Sequence, residues 1–362
     1  FMYQNWQKSK IPILYLILAL IILFGGLFTI ESSKKKVKYE TYDKQIEAAQ
    51  IMQNSMKLIA EKRQELNIPI DPQLDPNQTG LIGKEFTDIT TTLGNLEAKR
   101  TTTNPAFAAL MVRYFHNAGL EKGDTVAIGA SGSFPSLILA SLSACRALQL
   151  NPELIYSYGS SMYGANIPSF TFLTMLEYLR KEDMLPYKPI AVSLGGDEDR
   201  AEAVLFEGSR QTFFDLADKT KLPFIFADNL AESIQTRLKK YKEAAGNNRI
   251  KCFVNIGGAS ANHGNTNKSL DISSGLVLNP PKPPNDPERG LIFEYSIKGI
   301  PVIHLLNVRG LALKNGLPID PIPLPKIGSG GVYYQIEYSK TVILLTVITA
   351  LTLLVIAYKF NN

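Results

Sequence analysis

Short apolar runs alternate with helical patterns along the middle of this chain. Residues 125–128 form an apolar run of strand length, and residues 135–148 form a strongly apolar helical pattern. Ser133 is the expected N-cap of this helix, and Pro135 lies in its first turn, where a missing N–H costs nothing. Residues 154–158 form a second apolar run. The order strand, helix, strand predicts a βαβ unit with two parallel strands.

Four further apolar runs each end in polar or glycine-rich residues. They are residues 190–194, 223–226, 252–256 and 300–306. Together with the first two runs they predict an α/β domain with a doubly wound, mostly parallel sheet of about six strands. In such sheets ligands bind beyond the carboxyl ends of the strands, so the residues that follow the strands are the candidates for a site.

Two longer apolar runs, residues 11–30 and 342–358, lie near the two ends of the chain. A bilayer is crossed by a helix of roughly 20 apolar residues, and the two runs approach or reach this length. Aromatic residues of the kind that favour membrane interfaces lie near their edges: Tyr3, Trp6, Tyr338 and Tyr358. We therefore expect two transmembrane helices, with both termini on one side of the membrane and the domain on the other.

These patterns divide the chain into four parts. Residues 1–32 are the expected N-terminal transmembrane anchor, and residues 331–362 contain the C-terminal transmembrane helix. Residues 105–330 form the predicted α/β domain. Residues 33–104 are expected to hold a membrane-proximal amphipathic helix and a threonine-rich loop segment.

Composition narrows the classes of partner. The formal net charge is +5, and the basic residues do not form the clustered stripe that nucleic-acid binding requires, so no nucleic acid is expected. Cys145 and Cys252 lie in apolar surroundings, which predicts buried free thiols, and no metal-ligand spacing is present. We expect neither a metal nor a cofactor. Four lysines follow the first apolar run, and the positive-inside rule would keep them in the cytoplasm: Lys34, Lys35, Lys36 and Lys38. Long domains are translocated largely regardless of charge, so these lysines do not decide on which side of the membrane the domain lies.

The segment after the first predicted strand consists of small residues, among them Ser131, Gly132 and Ser133. It does not match a dinucleotide fingerprint, a P-loop or a nucleophile elbow. The free N–H groups of the helix that follows would nevertheless point at one spot, which favours an anion. A tight turn with a capping serine explains the same residues equally well.

Other candidate ligand-binding residues follow the remaining strands. Asp197 and Asp199 could bind a cation or supply a base, although an acidic group that opens a helix is an equal alternative. Arg309 and Arg100 are candidate carboxylate partners, unless they form salt bridges that hold loops. The sheet topology predicts one crevice lined by Ser131, Asp197, Asn255, Gly258, His263 and Arg309. The remaining candidates for ligand contact are Ser160 and Gly257.

A catalytic arrangement is conceivable among these residues. His263 lies in a glycine-rich loop and could act as a base near neutral pH. With Ser131 as nucleophile and Asp197 as orienting group it would form a hydrolytic triad. Serines and acids at strand ends are common without catalysis, so the sequence leaves open whether this protein is an enzyme.

Five segments of the chain together resemble the poly-γ-glutamate system protein family. They include VAIGASGSFPSLILASLSACRAL, SLGGDEDRA, VNIGGASANHG and PVIHLLNVRGLALKNGLPIDPIPLP, and a threonine-rich segment that begins IPIDPQLDPNQTGLIG. The segments cover most of residues 68–325. The resemblance implies a role in the bacterial cell envelope, beside the membrane-bound synthetase that makes or exports this anionic capsule polymer. It implies an extracytoplasmic domain and supplies no catalytic residues.

Two functions are compatible with these observations. The first is a membrane-anchored accessory component that binds poly-γ-glutamate or the synthetase subunits; helix N-termini, hydroxyl and amide donors and arginines suit a polymer with one free α-carboxylate per residue. The second is an enzyme that cleaves or transfers the polymer through a serine or an acid–base pair. Nucleotide-driven ligation is disfavoured by the missing P-loop. The sequence does not indicate an oligomeric state.

Overall fold

The computed structural model describes residues 11–202, 205–206, 208–265, 269 and 271–360, in which helices and strands alternate. The helices are α1 Ile13–Ser32, α2 Tyr42–Glu65, α3 Leu96–Thr102, α4 Ala106–Asn117, α5 Pro135–Leu148, α6 Phe172–Lys181, α7 Arg210–Thr220, α8 Leu230–Ala245, α9 Ser260–His263, α10 Gly290–Ser296, α11 Val308–Lys314 and α12 Lys340–Phe360. The strands are β1 Lys35–Lys38, β2 Thr90–Thr92, β3 Thr125–Ser131, β4 Asn151–Ser157, β5 Ser160–Ser161, β6 Ala191–Ser193, β7 Phe224–Ile225, β8 Ile250–Ile256, β9 Gly275–Val277, β10 Val302–Leu305 and β11 Tyr334–Glu337. Asp197–Asp199 and Gly331–Tyr333 form 3₁₀ turns.

The two ends of the chain together form one unit, which we call the terminal unit. Of the described residues it contains 11–39 and 334–360. Within it α1 packs against α12, and β1 pairs with β11 as an antiparallel ribbon. Both helices are long and apolar enough to cross a membrane, with mean hydropathies of 2.8 and 2.5. The candidate interfacial residues Tyr3 and Trp6 lie outside the described residues, whereas Tyr338 is exposed between β11 and α12.

A seven-stranded sheet organises the second unit, Glu40–Tyr333, which we call the α/β unit. The strand order is β7-β6-β4-β3-β8-β10-β9, and the strands are parallel except for β9, which runs antiparallel to β10. The predicted doubly wound, mostly parallel α/β fold is confirmed, and all six predicted strands are present with ends shifted by a few residues. The seventh strand, β9, has only three residues, and its apolar run, residues 276–278, is shorter than the six runs that predicted strands.

The strand order reverses between β3 and β8. From β3 the chain runs outward through β4, β6 and β7, and it then returns to place β8 on the other side of β3. Such a reversal is a topological switch point, where the loops after the two strands diverge and leave a crevice beyond their carboxyl ends. The topology therefore selects the loops after β3 and β8 as the position of a site.

Helices cover both faces of the sheet. Ala127, Ile155 and Phe253 point to one face and share a buried cluster with residues of α8 and α10. Successive strand side chains point to opposite faces, so Val126 and Ile128 are buried on the other side. There α5 packs on the sheet, and α2 and α4 pack against α5. This double coverage explains why all seven residues of β3 are buried.

Residues 42–102 are more closely integrated than the sequence suggests. The amphipathic helix α2 belongs to the α/β unit, where Ala48, Met52 and Met56 are buried. The threonine-rich segment forms β2, which pairs in parallel with β5, and α3. Asn95 caps α3 by accepting a hydrogen bond from the N–H of Ala98 (2.8 Å). The threonine segment is therefore part of the structure around the carboxyl edge of the sheet.

The start of α5 differs from the prediction. Phe134, and not Ser133, occupies the N-cap position, and it makes no side-chain capping bond. The hydroxyl of Ser133 instead accepts a hydrogen bond from the backbone N–H of Ser161 (3.1 Å). Ser133 thus links the loop after β3 to β5, because its side chain turns away from the helix.

The contact between the two terminal helices depends on a glycine. A Cβ atom on Gly26 would overlap the side chain of Thr346 in α12, whereas nothing lies within 4 Å of such an atom on Gly25. Small residues at such positions let helices approach closely.

We expect Gly26→Leu to push α1 and α12 apart and Gly25→Leu to leave them in place. Electron paramagnetic resonance between spin labels at positions 13 and 360, in detergent, checks this, and equal distances in both variants would contradict the packing.

Candidate functional site

A cavity of about 470 Å³ lies at the switch point, and we call it the switch-point crevice. Its wall is built from the loops that follow β3 and β8, from β5 and α3, and from the 3₁₀ turn after β6. The residues that matter for its chemistry are Lys99, Ser131, Ser133, Ser161, Asp197 and Gly258. The predicted meeting of the strand ends is thus found for Ser131, Asp197 and Gly258.

The ends of β3 and β8 approach each other closely. Gly257 has a φ of +82°, which L side chains rarely adopt, and a Cβ atom there would lie 2.9 Å from Oγ of Ser131. Ser131 is only 4% exposed, and its hydroxyl has no hydrogen-bond partner among the described residues. A buried hydroxyl without a partner is rare in proteins and marks a place where a ligand or water can bind.

Lys99 is the most unusual residue of the crevice, and the sequence did not single it out. It is 2% exposed, and its ammonium donates hydrogen bonds to Oγ of Ser161 (2.6 Å) and to the carbonyl oxygen of Ser133. Its Nζ also lies 3.8 Å from the ring centroid of Phe134. These partners are all uncharged. Burial lowers the pKa of Lys99 from its ordinary value of 10.5 to about 7, because desolvation disfavours the ammonium.

Gly132 and Ser160 support the crevice without lining it. The backbone N–H of Gly132 donates to the carbonyl oxygens of Ser157 (3.0 Å) and Gly159 (3.1 Å). Ser160 is fully buried, and its hydroxyl donates to the carbonyl oxygen of Ser161 (2.9 Å). Both predicted ligand residues therefore hold the loops behind the site.

Asp199 has a structural role, which corrects its assignment to the ligand site. Its carboxylate accepts hydrogen bonds from the hydroxyls of Ser193 and Ser233 (both 2.7 Å) and pairs with Arg237 (2.7 Å). Arg237 is fully buried. The acidic cluster is thus divided: Asp197 lines the crevice, whereas the left-handed backbone of Asp199 turns its side chain into the core beneath β6.

His263 lies in a second cavity, of about 480 Å³, together with His304. Its Nδ1 is hydrogen-bonded to Oγ of Ser269 (2.8 Å), and its ring is 5.7 Å from that of His304. The loop after β8 folds into the short helix α9, which carries His263 toward β10 and away from Ser131. The triad Ser131–His263–Asp197 is therefore not assembled.

Asn255 and His304 form a buried pair inside the sheet. Nδ2 of Asn255 lies 2.9 Å from Nδ1 of His304 and donates a further hydrogen bond to the carbonyl oxygen of Gly257 (3.0 Å). Burial is the main cause that lowers the pKa of His304 to about 4, so the ring is neutral at pH 7. Asn255 thus holds the loop of Gly257 and does not line the crevice.

The two candidate arginines hold loops. Arg309 is exposed, with a side-chain exposure of 65%, and its Nη1 pairs with Glu97 (2.8 Å). Arg100 pairs with Asp320 through two hydrogen bonds. The prediction that Arg309 lines the crevice is wrong, because α11 begins immediately after β10 and directs this side chain toward the exposed face of α3.

Comparison of the chain with protein-family models, with curated proteins and with solved structures found no match. The geometry of the crevice and the motifs quoted above are therefore the basis for a functional assignment.

The pKa of Lys99 makes stability depend on pH. Below pH 7 the lysine is charged in the folded and unfolded states alike, and its burial destabilises the fold. Between about 7 and 10.5 the folded state has lost this proton while the unfolded chain retains it, so the free energy of unfolding rises with pH. Relative to Lys99→Met, the wild type should gain about 1.4 kcal/mol per pH unit across this window.

Thermal melts of the full chain in detergent at pH 7, 8 and 9 measure this difference. Lys122→Met, at an exposed position before β3, is the matched control and should show no such pH dependence relative to the wild type. A constant difference between wild type and Lys99→Met from pH 7 to 9 would show that Lys99 is not buried in solution.

Proposed function

We propose that this protein is a membrane-anchored accessory component of poly-γ-glutamate synthesis or export, and that it binds carboxylates of the polymer in the switch-point crevice. The observation that carries the proposal is Lys99, a buried lysine whose hydrogen-bond and ring partners in the described part of the chain are all uncharged. Buried charges in proteins are normally paired, so an ammonium in this position favours a ligand that brings the missing negative charge.

A carboxylate in the crevice would meet several complementary groups. A charge-assisted hydrogen bond to Lys99 contributes roughly 1.5–3 kcal/mol. The unpartnered hydroxyl of Ser131 can donate a second hydrogen bond. The N-terminus of α5, a helix of 14 residues, adds a dipole that favours negative charge. The volume of about 470 Å³ lies in the range of known ligand sites.

The choice of poly-γ-glutamate among carboxylate ligands rests on the resemblance of the chain to the poly-γ-glutamate system proteins. The chemistry agrees with it, because each residue of the polymer carries one free α-carboxylate and the crevice combines the cation Lys99 with several hydroxyl groups. One carboxylate, that of Asp197, also lines the crevice and would repel a ligand carboxylate placed beside it. A polymer also suits a site that is formed by loops at the edge of a sheet and not by an enclosed apolar pocket.

The membrane placement is the second part of the proposal. The terminal unit contains two helices that could span a membrane, and we propose that the α/β unit lies outside the cytoplasm, where an exported polymer is handled. Alkaline phosphatase fused within residues 279–287 should then be active in cells, and the same reporter fused after residue 362 should be inactive. The opposite pattern would place the α/β unit in the cytoplasm.

Calorimetry tests the binding directly. With the full chain in detergent and a γ-linked glutamate hexamer, we expect Lys99→Met to weaken binding at least tenfold at pH 6.5, in proportion to the lost hydrogen bond. Arg309→Ala is the matched control, since it removes an exposed cation that does not line the crevice, and its affinity should equal that of the wild type.

The same titration has a second signature. Binding of a carboxylate favours the ammonium form of Lys99, so the wild type should take up protons on binding at pH 8, and its affinity should fall between pH 6.5 and 8.5. No heat of binding to the wild type at millimolar hexamer would contradict the proposal, and so would equal losses in Lys99→Met and Arg309→Ala.

A further inference from the structure

The switch-point crevice contains a serine and a lysine in direct contact. Nζ of Lys99 lies 2.6 Å from Oγ of Ser161, and both residues line the cavity. This distance is within the range over which a base can take a proton from a hydroxyl nucleophile. Binding of a carboxylate by Lys99 does not require this contact, so Ser161 has a feature that the proposed function leaves unexplained.

We infer that Ser161 is a nucleophile and Lys99 its general base, and that together they transfer the acyl group of an amide bond in the bound ligand. The inference rests on the proposed function for the identity of the ligand, a γ-linked glutamyl chain. It adds a reaction to that function and names the two residues that perform it.

Ser161 is the hydroxyl of the crevice that the fold positions best for this role. Its strand β5 pairs with β2, so that Thr92 lies opposite Ser161, and its backbone N–H donates to Oγ of Ser133 (3.1 Å). The hydroxyl of Ser131 has no hydrogen-bond partner among the described residues, so no base is in contact with it there. The hydroxyl of Ser133 already accepts the bond from Ser161, whereas that of Ser161 touches an amine.

Lys99 can act as a base because a substantial fraction of it is neutral at neutral pH. The ordinary lysine is protonated there, but burial brings the pKa of Lys99 to about 7. As the neutral amine it can accept the proton of Ser161 and still donate one N–H to the carbonyl oxygen of Ser133. That second bond would hold the lone pair of Nζ toward Ser161.

The reaction would proceed in two balanced halves. Oγ of Ser161 forms a bond to the carbonyl carbon of the amide while its proton passes to Nζ of Lys99. The C–N bond then breaks, and the leaving amine takes that proton from Lys99, which leaves an ester on Ser161. Water, or the amine of a second chain, adds to this ester with Lys99 again as the base, and Ser161 recovers its proton as the acyl group leaves.

The two protonation states of Lys99 separate binding from turnover. The ammonium favours a carboxylate, so affinity should fall as the pH rises. The neutral amine is the base, so turnover at saturating ligand should rise with pH through the pKa of Lys99 in the complex, which the bound carboxylate raises above the ligand-free value of about 7. A purely structural contact between Lys99 and Ser161 would produce no turnover and hence no such profile.

The test uses the full chain in detergent with the γ-linked glutamate hexamer, and it follows new amine ends by labelling and chain length by mass spectrometry. We expect Ser161→Ala to lower turnover at least a hundredfold while its affinity stays within threefold of the wild type. Ser136→Ala is the matched control, because Ser136 is also buried and also contacts α3, through Thr102 (2.6 Å), but does not line the crevice. Its turnover should equal that of the wild type.

A second measurement needs no variant. Acid quenching of the wild type during turnover should leave a glutamyl ester on the peptide that contains Ser161, seen as a mass increment. Binding of the hexamer without amine release, or turnover without an ester on Ser161, would overturn the inference and leave the proposed function standing. Absence of both binding and turnover would remove the proposed function as well. Turnover retained in a folded Ser161→Ala would also overturn the inference.

Discussion

The burial of one lysine among uncharged groups is the constraint on which this account depends. Lys99 belongs to α3, and its two hydrogen bonds connect this helix to β5 and to the loop after β3. Burying an ammonium there costs free energy of desolvation, and this cost is the reason why the pKa of the Lys99 side chain is lowered. A fold needs no such group at that position, because a methionine of similar length could fill the space. The energetic cost is thus easiest to understand as a property of a site.

Much of the fold follows from the sequence because a doubly wound sheet is buried on both faces. The apolar runs that become β3 and β8 are continuous for this reason, and their order fixes the switch point where Ser131 and Gly258 meet. The burial of Lys99 in the crevice could not be predicted from such apolar runs. Its helix α3 has a mixed composition without an apolar stripe, so no periodicity indicates which side chains face inward.

The polar residues at the strand ends show why a site cannot be read from position alone. Asp199 follows β6 closely, yet it forms a buried ion pair with Arg237 that links the 3₁₀ turn to α8. Asn255 and His304 bond to each other inside the sheet, and Arg309 pairs with Glu97 at the surface. The direction in which each of these side chains points depends on a local backbone conformation or on a partner that is distant in sequence. Sequence patterns therefore predicted the edge of the sheet that carries the crevice and some residues that line it, among them Ser131, Asp197 and Gly258, but neither Lys99 nor Ser161.

The central claim, that Lys99 is a buried amine which receives a negatively charged ligand, can be measured at a single atom. Nuclear magnetic resonance of the full chain with ¹³C-labelled lysine side chains, assigned with Lys99→Met, follows the Cε signal of Lys99 during a pH titration. Without ligand the midpoint should lie near 7, and saturation with γ-linked glutamate hexamer should move it upward by at least one pH unit. A midpoint near the ordinary lysine value of 10.5 without ligand, or one that the hexamer does not move, would contradict the account.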